Sequence, residues 1–300
     1  MSTIGRLLEP THATTRFHGV KPGRNPLASE GPTRGMDRPL AEIEFLARSE
    51  NRVAVLTELA DSPRSRQALG SATGASQPTL GRILRDFEER TWVDRRSEGY
   101  ELTPTGRLVA EGIAEFSAVV DTELKLREFV EWLPANELSF DLRRLREATV
   151  TVPTRTRPGA PVGRVIELLQ RADDVTVLSH AFNDRMLEAV TDWVERGGRF
   201  EGVFSAAAIE PVADDEALAG LLRRLVDAEG STIRIYEGPV PLAVTVTDGL
   251  VGLLIRDDDG RLQAALDTDD AVVAAWARDT YERYRAESRP LDAAALDTDD

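Results

Sequence analysis

The apolar pattern of this chain changes period once, between residues 134 and 160, and that change dictates two folding units. Before it, apolar residues recur every three or four positions through successive helices. Beyond it, short β-branched runs alternate with helical stretches. A chain of 300 residues is long enough for two cores. The expected organisation is an extension at 1–36, a helical unit at 37–103, a long helix at 104–133, a connector at 134–160, an α/β unit at 161–289 and an acidic tail at 290–300. Residues 1–36 are rich in Gly, Pro, Thr and Arg and lack an apolar period, so disorder is expected there.

The first half reads as a fixed succession of elements. "PLAEIEFLARS" sets Leu40, Ile43 and Leu46 on one helical face, and "SENRVAVLTELAD" does the same with Val53, Leu56, Leu59 and Ala60. "SPRSRQALGSATG" is a short helix closed by Gly74. "SQPTLGRILRDFEER" has Ser76 as N-cap, Pro78 in its first turn and an apolar stripe of Leu80, Ile83, Leu84 and Phe87. "TWVDRRSEGYELTP" is strand, tight turn at Ser97–Gly99, strand. Thr103-Pro104 then opens a helix to Pro134, about 28 residues and ~42 Å long. In this order the elements resemble the winged-helix regulators of the ArsR and MarR type.

That resemblance implies DNA as a partner, and the residues can be weighed for it. The exposed side of the helix beginning at Ser76 carries Gln77, Thr79, Arg82 and Arg85, with Gly81 expected to remove bulk beside a groove. The early turns of such a helix are the part that reaches base edges. Arginine pairs with guanine through two hydrogen bonds, while Gln and Thr read other bases. The hairpin adds Arg95 and Arg96, and the preceding helix adds Arg64 and Arg66. The alternative is a solvated helix whose arginines pair with Asp86 and Glu89 four residues on. Leu108, Ile113, Phe116, Val119, Val120, Leu124, Leu126, Phe129 and Val130 give the long helix more apolar surface than one small domain needs. A homodimer seam is expected along it, with packing on the chain's own second half as the alternative.

The net charge of -15 looks hostile to DNA. Yet between Ser62 and Arg96 seven arginines face four acids, a local excess of positive charge. Lys21 and Lys125 are the only lysines among 37 basic residues, and acid excess without lysine resembles the composition of proteins from halophilic archaea. In molar salt the Debye length is ~3 Å, so repulsion between an acidic body and DNA is largely screened.

The second half alternates helices with the strands "DVTVLS", "RFEGVF" and "TIRIY", then runs through "LAVTVTDGLVGLLIRDDDGRLQAAL" as three strands with turns at two Asp-Gly pairs, and closes on the helix "DDAVVAAWARDTYERYR". These stretches, with "APVGRVIELLQRADDVTVLSHAFN", resemble the FilR-type regulatory domain of archaeal transcription regulators. The resemblance implies a domain that senses a small-molecule effector. The same half is distantly similar to a phospholipase D-type unit, marked by His-x-Lys-x4-Asp. Asp248 stands at the Asp position, but Pro241 and Ala243 replace the His and the Lys, so no catalytic residue is expected. The fold class expected is therefore an α+β winged helix joined by a long helix to a mixed α/β, degenerate phospholipase D-like sensor domain.

Ligands favour the carboxyl ends of strands in α/β sheets. That places His180, Asn183, Ser205 and Tyr236, with Asp248 added through the phospholipase alignment, as effector-site candidates. Their alternative role is capping and loop polarity. No cysteine is present and His12, His18 and His180 are the only histidines, so neither a metal site nor a cofactor is expected. "RDDDG" at 256–260 reads as an acidic turn. No apolar run is long enough to span a bilayer and no secretory signal is visible, so a cytoplasmic protein without a membrane partner is expected. Two other readings stay open: an adaptor whose winged helix binds protein, and an enzyme with an unrecognised site.

Overall fold

The computed structural model describes residues 34–292, apart from positions 135 and 183. The expectations for the rest of the extension, for Asn183 and for the end of the tail lie outside the described residues. The chain forms two compact units that divide inside one helix, the first ending at Ala110 and the second beginning at Glu111.

The first unit opens with α1 (Arg34–Ala47), α2 (Glu50–Asp61), α3 (Arg66–Thr73) and α4 (Gln77–Glu89). α1 thus starts before the expected residue 37. Its supposed inner face is only partly used: Leu46 is buried, while Leu40 and Ile43 are exposed. In α2 the buried set is Val55, Leu56 and Leu59, with Val55 taking the place expected of Val53. Leu69, Leu80, Ile83, Leu84 and Phe87 complete the core, and the Phe87 ring meets Phe45 and Trp92 at 6.2 and 5.7 Å. β1 (Val93–Arg96) and β2 (Gly99–Leu102) pair antiparallel, with Arg96 opposite Gly99. Tyr100 also exchanges two backbone hydrogen bonds with Arg64, so the hairpin gains a third strand position. Gly99 is required there: its φ is 144°, and a Cβ would strike the Arg64 backbone.

α5 (Pro104–Leu126) is capped by Thr103, whose hydroxyl accepts from the Gly106 N–H at 3.0 Å. It has 23 residues and stops at Leu126, short of the expected Leu133. A turn and a single 3-10 turn at Val130–Trp132 follow. The chain bends because Leu126, Phe129 and Leu133 insert into the core of the second unit. Beyond Glu111 the helix has two unlike sides. Ala118, Thr122 and Leu126 are buried, while Phe116, Val119, Val120 and Leu124 are exposed.

The second unit is an eight-stranded sheet with helices on both faces. Its strands are β3 (Thr149–Thr151), β4 (Asp174–Ser179), β5 (Arg199–Ser205), β6 (Ser231–Tyr236), β7 (Ala243–Val246), β8 (Val251–Arg256), β9 (Leu262–Thr268) and β10 (Arg289–Pro290). The order across the sheet is β10-β6-β5-β4-β7-β8-β9-β3. β4, β5 and β6 run parallel and the other pairs are antiparallel. Right-handed crossovers are the norm for such parallel strands, and here α7 (Asp184–Glu195) and α9 (Glu216–Asp227) make the connections. With α6 (Ala160–Leu169) and α8 (Ala206–Ala213) they cover one face through Leu169, Leu187, Trp193, Leu222 and Leu225. α10 (Ala271–Ala286) and the segment after α5 cover the other through Phe129, Leu145, Trp276 and Tyr281. A fork of two hydrogen bonds, 2.8 and 2.7 Å, ties Arg164 of α6 to buried Asp267 of β9.

Two elements depart from expectation. α8 was not foreseen, and Pro211 lies inside it. The stretch assigned to an acidic tail begins as β10, which pairs with β6, and Leu291 is buried beside it.

Candidate functional site

Local chemistry sets the geometry of the helix pair α3 and α4. The Ser65 hydroxyl caps α3 by accepting from Ala68 N–H at 3.1 Å. Gly74 ends it in the left-handed region, φ 68°, where its N–H reaches the Gly70 carbonyl. Ser76 caps α4, accepting from Thr79 N–H at 3.3 Å. Leu80, Ile83, Leu84 and Phe87 turn inward, which leaves Gln77, Arg82, Arg85 and Glu89 on the exposed side.

The charges are sorted by tertiary partners. Arg52 of α2 holds Asp86 at 3.3 Å. Arg90 donates to Glu42 at 2.7 Å and lies over the Phe45 ring, 3.7 Å from its centroid. Arg82 and Arg85 have no hydrogen bond or ion pair among the described residues, so the alternative pairing with Asp86 and Glu89 is not made.

The other DNA candidates divide in the same way. Arg95 on the hairpin is exposed and has no ion pair among the described residues. Arg96 is held by Asp94 at 3.0 Å and Glu101 at 2.5 Å. Arg64 pairs with Glu58 at 3.4 Å and is half-buried. Arg66 reaches across to the Gln77 carbonyl and lies over Gly81, where a Cβ would collide with its guanidinium. Gly81 therefore makes room for Arg66 inside the protein, not for a groove outside it. Thr79 shares its hydroxyl with Ser76 at 2.9 Å. Gln77, Arg82, Arg85 and Arg95 thus remain outward-facing and free for contact, whereas Arg64, Arg66 and Arg96 build the frame.

In the second unit, strand register brings together three of the effector candidates. Ser179 is level with Phe204, and Ser205 with Tyr236, so His180, Ser205 and Tyr236 fall in one row across the carboxyl ends of β4, β5 and β6. Ser205 is buried and its Oγ has no partner, although it occupies the N-cap position of α8. His180 Nδ1 is also unpartnered. Burial first, and the positive charge of Arg256 second, push the imidazole below its usual pKa. The Tyr236 ring packs edge-on against Tyr284 at 4.9 Å.

Asp248 does not join this row. β7 runs antiparallel to β4 with Val246 level with Thr176, which carries Asp248 to the amino ends of the parallel strands. There its carboxylate accepts from Asp173 N–H at 3.0 Å. Pro241, by contrast, lines a cleft of about 320 Å³ with Trp132, His180, Leu242, Leu254 and Arg256.

Arg256 is the functional candidate that the sequence reading missed. One guanidinium N–H reaches the Gly260 carbonyl at 2.8 Å, its Nε is buried without a partner, and burial pulls its pKa down. The signal was an arginine closing the apolar strand "VGLLIR", hidden by the acidic turn after it. In that turn Asp257 accepts from Asp259 N–H, Arg261 N–H and the Gln263 amide. Among the described residues no cluster of His, Asp and Glu is arranged to hold a metal. None of their helices is long and apolar enough to cross a membrane.

Known proteins match this arrangement domain by domain. The family model described as the HVO_A0261 N-terminal domain matches residues 40–125, and that of the methanogenesis regulatory protein FilR1, middle domain, matches residues 158–287. No curated protein matches the chain. Among solved structures, the archaeal chromatin protein TrmBL2 is 13% identical over 83% of this chain and 98% of its own, with a TM-score of 0.38. Nuc, a phospholipase D family member from Salmonella typhimurium, is 15% identical over 48% of this chain and 99% of its own, at 0.39. The Staphylococcus aureus transcription regulator MepR is 16% identical over 35% and 84%, at 0.26. The chain therefore carries an HVO_A0261 N-terminal domain followed by a FilR1 middle domain, the domain make-up of a winged-helix transcriptional regulator.

Proposed function

We propose that this regulator binds double-stranded DNA as a homodimer through α4 and the β1–β2 hairpin, and that a small-molecule effector in the second unit adjusts that binding. The observation that carries the DNA reading is the state of Arg82 and Arg85. Both are exposed and unpaired in an acid-rich chain, while the neighbouring Asp86 is taken by Arg52. Each free guanidinium on base edges is worth ~1–3 kcal/mol of discrimination. Arg95 adds a backbone contact from the hairpin, and Gln77 sits at the helix start beside them.

The exposed stripe of Phe116, Val119, Val120 and Leu124 supports the dimer. Two copies joined there present paired recognition helices to half-sites ~34–36 Å apart on a pseudo-palindrome. The unpartnered polar row at the carboxyl ends of β4–β6 supports the effector site, and coupling follows if the effector binds one arrangement of the dimer better than the other. Such a protein acts in the cytoplasm, on chromosomal DNA, and needs no cofactor.

The test is selection of binding sites from a random DNA library, followed by gel-shift at molar potassium chloride. Wild type is expected to enrich a two-fold symmetric site. Arg82→Ala with Arg85→Ala is expected to lose affinity ~100-fold or more, while remaining folded and dimeric. Undiminished affinity in that variant rejects the assigned surface. Enrichment of no sequence by the wild type favours a protein-binding adaptor instead.

A further inference from the structure

Three polar atoms buried without a partner gather at one end of the sheet in the second unit: His180 Nδ1, Ser205 Oγ and Arg256 Nε. His180 and Ser205 follow the neighbouring strands β4 and β5, and Arg256 ends β8, which β7 separates from β4. His180 and Arg256 line the same cleft of about 320 Å³. Arg256 also forms the polar end of a small apolar cavity of about 50 Å³, walled by Val165, Leu169, Phe182, Phe204 and Leu254. Phe182 and Phe204 stack there with centroids 4.2 Å apart.

The charge balance of this cleft is incomplete. Arg256 makes one bond, to a carbonyl, and no described carboxylate pairs with it. The acid next to it in sequence, Asp257, is spent on its own turn. A guanidinium drawn out of water without a counter-ion is costly, and the cost is recovered only when an anion arrives. The donors around it suit an oxyanion: a guanidinium fork takes two oxygens of one carboxylate, and the His180 imidazole supplies a further N–H.

We infer that this cleft binds a short-chain aliphatic carboxylate, with its carboxylate on Arg256 and His180 and its alkyl group in the cavity below Arg256. The inference rests on the effector reading above and specifies its ligand class. Cavity size sets the chain length. A dry cavity of ~150 Å³ accepts benzene, so a space one-third as large admits an alkyl group of two or three carbons and no aromatic ring. Phosphate shares the oxyanion chemistry but has nothing to place among Val165, Leu169 and Leu254.

The test is calorimetric titration of the full chain with three probes: butyrate, its neutral counterpart butanol, and inorganic phosphate. Butyrate is expected to bind about tenfold or more tighter than either of the others, a gap of ~1.4 kcal/mol. Arg256→Gln should lose that affinity, whereas Arg256→Lys, which keeps the charge without the fork, should fall between them. Circular dichroism checks that both variants fold. If the glutamine variant is misfolded, a series from propionate to hexanoate in wild type decides: affinity should rise and then fall as the chain outgrows the cavity. Binding that is absent for every carboxylate, unchanged in folded Arg256→Gln, or equalled by phosphate overturns the inference. Should a different small molecule co-purify in native mass spectrometry and alter DNA affinity, the effector reading stands and this ligand class falls.

Discussion

Arginine plays opposite parts at two places in this protein. Several arginines of the α/β unit are fasteners: Arg164 grips Asp267, Arg199 grips Asp174, Arg224 holds Glu195 at 2.7 Å and Arg289 holds Glu237 at 2.9 Å. On the outer side of α4, Arg82 and Arg85 stand without a partner among the described residues. Yet α4 is no poorer in acids than its surroundings. Its last turns carry Asp86, Glu88 and Glu89, of which Asp86 alone is held by an arginine among the described residues, Arg52 of α2. A net charge counts residues, whereas recognition depends on which charges remain unspent after folding. By that measure the negative chain presents positive sites.

The sharpest way to break this comparison is to remove one fastener. Arg164→Met leaves the carboxylate of Asp267, itself only 4% exposed, without its cation. The expected cost is about 3–5 kcal/mol, read as a lower urea midpoint for the second unit. Adding Asp267→Asn to that variant should recover part of the loss, because the stranded charge is gone. An unmoved midpoint would show that the pair is no fastener.

The next effect is on binding alone. Arg82→Ala with Arg85→Ala should leave the urea midpoint where it was, since neither side chain holds anything in the folded protein, while the DNA affinity collapses. A lowered midpoint would mean that these arginines too are spent. Smaller again is the contrast within the hairpin. Arg95→Ala should weaken DNA binding evenly across sequences and reduce the slope of log affinity against log salt by about 1. Arg96→Ala should act through the hairpin's shape instead, since Arg96 bridges Asp94 and Glu101.

The smallest effect is a pH dependence. Burial and Arg256 depress the His180 pKa below its ordinary 6.5, so the unfolded chain binds that proton more tightly than the folded one. Stability from this group is therefore complete above pH 6.5 and declines as the pH falls from there toward the folded value. In His180→Gln that decline should vanish. Urea midpoints of the two proteins should keep a constant offset near pH 8 and move relative to one another only on acidification. Parallel curves at every pH would contradict the burial of the imidazole.

What could be read from the chain follows the range of the interactions involved. The winged helix was legible because its signals are local: Ser76 and Thr103 cap, Gly74 stops a helix, and four apolar residues of α4 repeat at helical spacing. The strands of the second unit were legible for the same reason. Partners of arginine were not, since the acid that Arg52 or Arg96 meets depends on chain packing and on register. That is why Arg64, Arg66 and Arg96 looked equivalent to Arg82 in sequence and differ from it in the fold. α8 is only eight residues long and contains Pro211, which weakens its pattern. β10 has no pattern of its own and exists because β6 offers an edge. His180, Ser205 and Tyr236 were placed by the rule about strand ends, and parallel register aligned them. Asp248 was placed by an alignment and lies at the other end of the sheet.

β10 has a consequence for how this unit matures. The outer strands of the sheet come from its two extremes in sequence: β3 precedes all the others and β10 follows them all. During synthesis β6 therefore emerges long before the strand that covers it, with α10 in between. Until Arg289–Pro290 arrives, β6 offers open backbone donors and acceptors to any neighbouring chain. Translation arrest or proteolysis just after α10 would leave a nearly complete domain whose β6 edge could recruit its siblings.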